Sequence, residues 1–255
     1  MHVKEKIGVL CFCLNEVLAL QVIAPRLREI LSKQNWDSEL IFVDGNSTDG
    51  SYDFLTDQSF YFVRQKEPGI PQALIDGFAE VKKLSCTHVV IFQPDGNCDP
   101  EKLPELVSVL LTEATDIVIG SRYFATKKSP DDSVITAFGN WTFNKLYRFK
   151  FSNSKLTDVL VGYRGLRIEL VDELDILETS EYKWLERTLR CTFSFDTLML
   201  IRAIRSNATI REIDAPECLR IGGVSKRATI QWGIAYLCQL LFDNQIRKIS
   251  GKTPF

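Results

Sequence analysis

The sequence predicts an α/β protein with a mostly parallel central sheet and helices on both of its faces. The first observation behind this prediction is that apolar runs of strand length alternate with amphipathic segments of helix length between residues 7 and 119. The second observation is that four of the apolar runs end abruptly in turns of polar and small residues, as buried parallel strands do at a ligand-binding edge.

The predicted elements follow one another as βαβ units. The strands are expected at residues 7–13, 39–43, 60–63, 87–92 and 116–119. Helices are expected at residues 16–33, 71–83 and 100–111, with the start of a short helix at 51–56. The helix at 71–83 has a proline in its first turn, where the missing amide hydrogen is not needed.

The composition predicts one large globular domain, or one domain with a small appendage. The chain has 255 residues, of which 45% are hydrophobic and 25% are charged. Its formal net charge of −2 and its pI near 5.8 leave no general basic surface. We therefore expect no nucleic acid among its partners.

The cysteines and histidines argue against a disulfide scaffold, a zinc site and a histidine triad. Seven cysteines without Cys-x-x-Cys spacing predict a reducing, cytoplasmic environment. Only His2 and His88 are present, which is too few for a zinc site or a His-based triad. No signal peptide is visible, and the longest uncharged stretch, at 228–242, is shorter than the roughly 20 residues that cross a bilayer as a helix.

Four polar turns follow apolar strands and predict a ligand site. They comprise residues 13–16, 44–50, 93–97 and 120–122. In parallel α/β sheets, ligands bind beyond the carboxyl ends of the strands, where such turns meet. In the third turn, Asp95 offers a carboxylate that suits a metal ion. Because Pro-Asp-Gly is also an ordinary turn sequence, this segment alone leaves both interpretations open.

The turn at residues 44–50 is the densest in polar groups. Its two carboxylates, small side chains and free amides suit a loop that surrounds a nucleoside. The alternative is that Ser47 or Asp49 caps a helix on a solvated turn. A cap and a ligand contact can coexist, so both roles stay open.

Six motifs occur in an order and spacing that are specific when taken together. They are Asn15-Glu16, the segment 43–50, Gln93-Pro-Asp95, Gly120-Ser-Arg122, Asp158 with Gly162-Tyr-Arg164, and the segment 220–226. The series resembles family 2 glycosyltransferases, and most closely their dolichol-phosphate mannosyltransferase-like branch. The resemblance covers residues 5–227.

The resemblance implies a GT-A fold that binds a nucleoside diphosphate sugar and a divalent cation, Mg²⁺ or Mn²⁺. It also implies transfer of the sugar with inversion at the anomeric carbon, in cell-envelope or polysaccharide biosynthesis. Elementary chemistry agrees, because a diphosphate leaves readily only when its charge is neutralised by a metal ion and cationic side chains.

For the metal, the resemblance implies Asp95 as the leading ligand, with a catalytic role. The family usually has Asp-x-Asp at this point, and this chain has Gln93 in place of the first aspartate. Asn97 matches a position where the mannosyltransferase-like branch carries a glutamine ligand. With one carboxylate fewer, we expect Gln93, Asp95 and Asn97 to bind the metal weakly.

For the nucleotide, the resemblance implies contacts from the first, second and fourth turns. The residues matched are Asn15, Glu16, Asp44, Asp49 and Arg122. Carboxylates can accept hydrogen bonds from a base or from sugar hydroxyls, whereas Asn15 is expected to order the loop. Gly45 replaces a usual aspartate, so the base is not identified.

For the diphosphate, the resemblance implies Arg220 and Lys226. Both lie in a glycine-containing loop, which makes a flexible cationic clasp. Without the resemblance, these charges would be interpreted as solvated loop residues.

On the acceptor side, the resemblance gives Asp158, Arg164 and Asp196 as further catalytic candidates. The acceptor is expected to be a polyprenyl (lipid) phosphate or a glycan. An alcohol acceptor needs a general base, whereas a phosphate acceptor is already anionic and needs none. The chain lacks the Glu-Asp and Arg-Trp base motif of the polymer-forming relatives, which favours the lipid phosphate.

The end of the chain, residues 228–255, is predicted as an amphipathic helix with a basic tail, following a glycosyltransferase domain at 1–227. One helix face carries Ile230, Ile234, Leu237 and Leu241, and the tail carries Arg247, Lys248 and Lys252. This helix is expected either to hold the enzyme at the inner membrane surface or to pack on the catalytic domain or on a second subunit of a homo-oligomer.

Two other functional classes share some of these sequence features. A nucleotidyltransferase also couples an α/β sheet to Asp-bound Mg²⁺, but the turn at 13–16 lacks the glycine-rich, basic loop expected after its first strand. A non-catalytic nucleotide-sugar binding protein is suggested by Gln93. Retention of Asp95, Arg220 and Lys226 argues against such a loss of activity.

Overall fold

The computed structural model describes residues 5–111, 115–125, 129, 133–151, 155–178, 187–188, 194–222 and 229–243. The strands are β1 (Lys6–Cys13), β2 (Asp37–Asp44), β3 (Tyr61–Arg64), β4 (His88–Phe92), β5 (Ile117–Ser121), β6 (Arg164–Arg167) and β7 (Ile210–Asp214). The helices are α1 (Val17–Ser32), α2 (Ser51–Asp57), α3 (Ile70–Lys83), α4 (Leu103–Leu110), α5 (Val134–Lys150), α6 (Leu170–Glu173), α7 (Phe195–Arg205) and α8 (Thr229–Phe242).

The strands form one sheet in the order β3-β2-β1-β4-β6-β5-β7. All of the strand pairs are parallel except the two that involve β6, which is antiparallel to β4 and β5. The predicted fold class, an α/β protein with a mostly parallel sheet, is therefore confirmed. The antiparallel β6 was not predicted, because a four-residue strand with an arginine at each end lacks the apolar pattern of a buried strand.

The predicted strands and helices up to residue 121 are confirmed, with bounds that shift by one to three residues. The helix predicted at residues 100–111 does not begin as an α-helix. A 3-10 turn at Pro100–Lys102 precedes α4, and the Asp99 carboxylate accepts a hydrogen bond from the Glu101 amide at 2.9 Å. Each of these two elements has a proline in its first turn, which explains the division of the predicted helix.

Close packing of α3 against β1 depends on a small residue in the helix. A Cβ atom at Gly77 would lie 2.8 Å from the Leu10 side chain. Leu10 is fully buried in the core that β1 shares with β2 and β4. The glycine therefore lets the helix approach the strand that precedes the first polar turn.

The carboxyl ends of the first strands meet at one edge of the sheet. In the β1–β2 pair, Cys13 is aligned with Asp44, and in the β1–β4 pair, Cys11 is aligned with Phe92. Since β2 and β4 lie on opposite sides of β1, the chain changes direction across the sheet at β1. Such a switch point opens a crevice between the turns that follow β1 and β4.

Helix α8 packs against α7, but not through its most apolar face. Its buried residues include Ala235, Gln239 and Leu240, and the Gln239 amide group bonds to the backbone of Ser194 at 2.9 and 3.2 Å. A fully buried ion pair between Arg202 and Asp243 fixes the end of the helix at 3.4 Å. The face that carries Ile234, Leu237 and Leu241 is left exposed, because specific polar contacts orient the helix.

The predicted boundary between residues 227 and 228 lies outside the described residues, as does the basic tail. Among the described helices, none is both long enough and apolar enough to cross a membrane.

Candidate active site

The carboxyl edge of the sheet opens into a cavity of about 1070 Å³. The turns after β1, β2, β4 and β5 line it, together with α5, α7 and α8. The structure thus brings together the four turns that the sequence singled out. The charged and amide side chains along the wall are Glu16, Gln65, Gln93, Asp95, Asn97, Arg122, Asn140, Asp196, Glu217 and Arg220.

Asp95 lies in the turn after β4 and is almost buried. One oxygen of its carboxylate, Oδ1, accepts a hydrogen bond from the backbone amide of Asn97 at 3.0 Å. The other, Oδ2, forms an ion pair with Nη1 of Arg220 at 2.8 Å. The predicted metal ligand and the predicted diphosphate-binding cation are therefore in direct contact.

The segment 217–221 lies along the Asp95 turn. The Cys218 amide donates to the Asn97 carbonyl at 2.8 Å, and the Ile221 amide donates to the Asp95 carbonyl at 2.9 Å. Gly96 permits this approach, because it adopts a φ of 93° and a Cβ atom there would lie 2.9 Å from the Ile221 nitrogen. The glycine in Pro-Asp-Gly thus serves the contact between two distant segments.

Glu217 is a site residue that the sequence reasoning missed. Its Oε1 accepts a hydrogen bond from Nδ2 of the Asn97 side chain at 3.1 Å, and its Oε2 accepts one from the Ser129 hydroxyl. Its Oε2 also lies 3.8 Å from Nη1 of Arg122. A carboxylate between β7 and the Arg220 motif was the available signal, but only the fold shows that it reaches Asn97.

Gln93 also faces the cavity, and Gly162 provides the space that it occupies. A Cβ atom at residue 162 would lie 2.5 Å from Nε2 of Gln93. Among the described residues there is no cluster of three acidic, histidine or cysteine side chains of the kind that holds a metal. The oxygen donors at this place are instead carboxylates and amides mixed, a donor set that suits Mg²⁺ or Mn²⁺.

Arg122 and Asp158 form a bidentate ion pair beside the cavity. Nε of Arg122 lies 2.6 Å from Oδ2 of Asp158, and Nη2 lies 2.9 Å from Oδ1. Burial raises the pKa of the Asp158 carboxyl, but the Arg122 guanidinium outweighs it and holds that pKa below its usual range. Arg122 lines the cavity, whereas Asp158 is fully buried behind it. Asp158 thus contacts the Arg122 guanidinium and does not reach the cavity itself.

Arg164 is fully buried and does not line the cavity. Its guanidinium donates to three backbone carbonyls, those of Val159 at 2.8 Å, Val161 at 2.7 Å and Asp196 at 2.6 Å. Burial lowers the pKa of this arginine. These contacts are those of a residue that holds the start of α7, where the Asp196 side chain lines the cavity.

The turns at 13–16 and 44–50 are joined by hydrogen bonds that involve their predicted residues. The Asn15 amide donates to the Ser47 hydroxyl at 2.9 Å, and Oδ1 of Asn15 accepts from the Thr48 amide at 2.8 Å. The buried Asp44 carboxylate accepts from the Ser47 amide at 3.2 Å. Glu16, the next residue after Asn15, lines the cavity.

Asp49 caps the starts of two helices and does not line the cavity. Its Oδ2 accepts from the amide of Val17, the first residue of α1, at 3.0 Å. Its Oδ1 accepts from the amide of Ser51, the first residue of α2, at 3.0 Å. Burial raises the pKa of this carboxyl, and the hydrogen bonds from Ser51 and Val17 outweigh it and lower the pKa. The remaining predicted site residue, Lys226, lies outside the described residues.

Comparison with known proteins agrees with this geometry. A family model described as glycosyl transferase family 2 matches residues 9–175. An undecaprenyl-phosphate mannosyltransferase of Micrococcus luteus is 28% identical over 233 residues, which cover 87% of this chain and 91% of that protein. A dolichol-phosphate mannosyltransferase of Saccharomyces cerevisiae is 37% identical over 92 residues, 34% of this chain and 33% of that protein.

Among solved structures, the chain is similar to glucosyl-3-phosphoglycerate synthase of Mycobacterium tuberculosis in complex with Mn²⁺, uridine diphosphate and phosphoglyceric acid. The TM-score is 0.66 at 16% identity, and the alignment covers 97% of this chain and 81% of that one. This likeness shows the GT-A fold that the sequence predicted. Because the family model spans well over half of its residues, the chain belongs to glycosyl transferase family 2 and is a glycosyltransferase.

Proposed function

We propose that this enzyme moves a sugar from a nucleoside diphosphate sugar to a polyprenyl phosphate, with inversion at the anomeric carbon and with Mg²⁺ or Mn²⁺ as cofactor. The observation that carries this proposal is the placement of Asp95, Asn97 and Glu217 beside Arg122 and Arg220 in one cavity. Oxygen ligands beside cationic side chains suit a metal ion and a diphosphate that are bound together.

The metal would be held by Asp95 with support from Gln93, Asn97 and Glu217. When bound, it would supply the positive charge that makes the diphosphate a good leaving group. The proposal assigns to Glu217 the negative charge that Gln93 does not provide. Support comes from the structural relative, whose complex contained Mn²⁺ and uridine diphosphate.

The nucleotide is proposed to lie between the turns at 13–16 and 44–50, where Glu16 and Gly45 line the cavity. Asn15, Asp44 and Asp49 would act by shaping these turns, since the side chain of each accepts a hydrogen bond from a backbone amide of these turns or of the helix that follows. The diphosphate would then extend toward Arg220, with Lys226 as a second cation.

The acceptor is proposed to attack with an oxygen of its phosphate. The new bond joins that oxygen to the anomeric carbon, and the bond from this carbon to the donor's diphosphate breaks. The phosphate oxygen is already anionic, so no general base is required. Arg122, held in place by Asp158, would attract the acceptor phosphate. A glycan acceptor would instead require a base, for which Asp196 is the cavity-lining candidate.

An exposed apolar surface extends from one wall of the cavity. We define the apolar face as the exposed side chains of α5 and α8 that are large and hydrophobic. It comprises Val134, Ile135, Phe138, Trp141, Leu146, Phe149, Ile234, Leu237, Leu241 and Phe242. The two helices touch where the rings of Phe143 and Tyr236 meet edge to face, 6.0 Å apart. Phe138, Leu146, Ile234 and Leu237 also line the cavity.

The proposed occupant of the apolar face is the surface of an anionic membrane. The charged residues of α5 are all basic (Lys145, Arg148 and Lys150), and α8 has none, although the whole chain has a net charge of −2. Exposed aromatic side chains among basic residues are typical of helices that lie in the membrane interface. The tail after Asp243 adds Arg247, Lys248 and Lys252 without an acidic residue. The lipid tail of the acceptor could then stay in the bilayer during transfer.

Replacing Ile135 and Phe149 by serine is expected to weaken binding to vesicles that contain anionic lipid by about 30-fold, because burying each side chain in the interface is favourable by about 1 kcal/mol. Both side chains are more than two thirds exposed, and neither lines the cavity, so the fold and donor binding should persist. The measurement is co-sedimentation with vesicles of phosphatidylglycerol and phosphatidylcholine.

The control for this experiment is the pair Val22→Ser and Ile75→Ser, which changes exposed apolar residues on α1 and α3. The control should bind vesicles like the wild type. If the Ile135→Ser/Phe149→Ser variant binds vesicles as tightly as the wild type, the proposed contact between the apolar face and the membrane is wrong. A stable dimer that dissociates in this variant would instead assign the apolar face to a second subunit.

The donor site is tested by calorimetry with GDP, UDP, dTDP and CDP, each with and without Mn²⁺ or Mg²⁺. We expect one diphosphate to bind at least about tenfold more tightly with metal, because cation and diphosphate share one cavity. Thermal shift should agree, since a ligand that prefers the native state raises its stability. If none of the four binds with either metal, the proposed donor class is wrong.

A further inference from the structure

We propose that Arg220 is the counter-ion of Asp95 in the ligand-free enzyme and moves to the diphosphate when donor and metal bind. Asp95 would then accept the metal only together with the diphosphate. This inference rests on the proposed donor and metal sites, and it adds the order in which the two ligands are captured.

The first support is the ion pair itself. Nη1 of Arg220 lies 2.8 Å from Oδ2 of Asp95, and both side chains are mostly buried. A divalent cation at Oδ2 would bring two positive charges next to the guanidinium in a place poorly screened by water. The two cations therefore compete for one carboxylate oxygen.

The second support is an unsatisfied donor on the same arginine. Nε of Arg220 is buried, and no acceptor among the described residues lies within hydrogen-bonding distance of it. Burying a guanidinium N–H without an acceptor is unfavourable. An oxygen of a diphosphate in the cavity would provide that acceptor, because guanidinium groups bind phosphates through two N–H groups at once.

The backbone explains how the side chain can exchange partners without a large movement. The hydrogen bonds from Cys218 to Asn97 and from Ile221 to Asp95 fix the main chain on both sides of Arg220. The side chain can therefore rotate from the carboxylate to a ligand while its Cα atom stays in place. A diphosphate adds negative charge, which lets the metal and the guanidinium lie close together.

The exchange predicts opposite effects of one substitution on two binding constants. In Arg220→Gln, Mn²⁺ alone should bind about tenfold more tightly than in the wild type, because Asp95 has lost its competitor. Of GDP, UDP, dTDP and CDP, the one that binds to the wild type with metal should bind about tenfold more weakly to the Mn²⁺-saturated variant, because a phosphate contact is lost. Both constants are measured by isothermal titration calorimetry.

Two further variants separate this exchange from a general effect of charge. Arg64→Gln removes the arginine that pairs with Asp44 at 3.5 Å and should leave Mn²⁺ binding unchanged. Arg220→Lys keeps a positive charge and should bind Mn²⁺ alone nearly as weakly as the wild type. Circular dichroism melting checks that each variant is folded.

The outcomes are distinct for the exchange and for the proposed function. If Arg220→Gln binds Mn²⁺ alone no more tightly than the wild type, the exchange is wrong, even when the wild type binds a metal–diphosphate pair. If the wild type binds no diphosphate with any metal, the proposed donor site is wrong. Tighter Mn²⁺ binding by Arg220→Gln would still support the competition for Asp95.

Discussion

Replacing Asp95 by asparagine is expected to lower the rate of sugar transfer roughly 100- to 1000-fold at saturating donor. The substitution keeps the size of the side chain and removes the charge that would hold the metal against the diphosphate. The ion pair with Arg220 is also lost, and because both side chains are mostly buried, stability should fall by about 2 kcal/mol. Transfer of labelled sugar and thermal melting measure the two effects separately.

The matched control is Asp99→Asn, four residues further along the same loop. Asp99 caps the 3-10 turn through the Glu101 amide and does not line the cavity. Asparagine is also a good cap, so transfer and melting should both stay close to wild type. Near-normal turnover of Asp95→Asn would show that the metal site has been assigned to the wrong residue.

Replacing Asp158 by asparagine is expected to destabilise the fold by about 3 kcal/mol, because it leaves the Arg122 guanidinium without its buried carboxylate partner. Asp158 is fully buried and accepts both hydrogen bonds of the bidentate pair. The free energy of unfolding, measured with urea at pH 7, checks this value. Transfer should also fall, since Arg122 would no longer be held at the cavity wall.

The contribution of the Asp158 carboxylate to the free energy of unfolding should fall in acid. Its folded-state pKa lies below the unfolded value, so its contribution to stability is present above about pH 4 and is lost as pH falls through the folded pKa. The difference between wild type and variant should therefore narrow in acid. As a control, Asp172→Asn breaks an exposed ion pair with Lys82 and should cost less than about 1 kcal/mol. Equal costs for the two substitutions would contradict the positioning role.

The part of the fold that the sequence predicts is the part fixed by local patterns. Apolar runs such as residues 87–92 and helical periodicity such as 71–83 require only near neighbours to be interpreted. The polar turns were also predictable, because parallel strands bring their carboxyl ends to one edge. These features account for the sheet and for the presence of Asp95 and Arg122 in one cavity.

The features that the sequence did not predict depend on contacts between distant segments. Glu217 reaches Asn97 across 120 residues of chain, and no local pattern marks it. Arg164 was expected on the acceptor side, but three backbone carbonyls bind it inside the protein. Helix α8 is oriented by the polar Gln239, a contact that its apolar spacing does not indicate. In each case a specific hydrogen bond decides the outcome.

The exposed apolar face shows both the use and the limit of periodicity. The spacing in α8 indicated an amphipathic helix, but spacing alone does not tell which aromatic residues of α5 are buried. Phe143 and Tyr147 are buried, whereas Trp141 and Phe149 are exposed. Which aromatic residues enter the core depends on where α5 contacts α8, and this contact is a property of the tertiary structure.

Transfer to a lipid phosphate is tested most directly by offering the enzyme two acceptors that differ only in the phosphate group. A labelled nucleoside diphosphate sugar, with the base chosen by the binding panel, is incubated with a short polyprenyl phosphate or with the matching polyprenol, each with Mn²⁺ or with a chelator. We expect labelled lipid only from the polyprenyl phosphate and only with metal, because no base is needed to activate that acceptor. Equal transfer to the polyprenol would contradict the proposed phosphate acceptor, and transfer that persists with the chelator would contradict the proposed metal dependence.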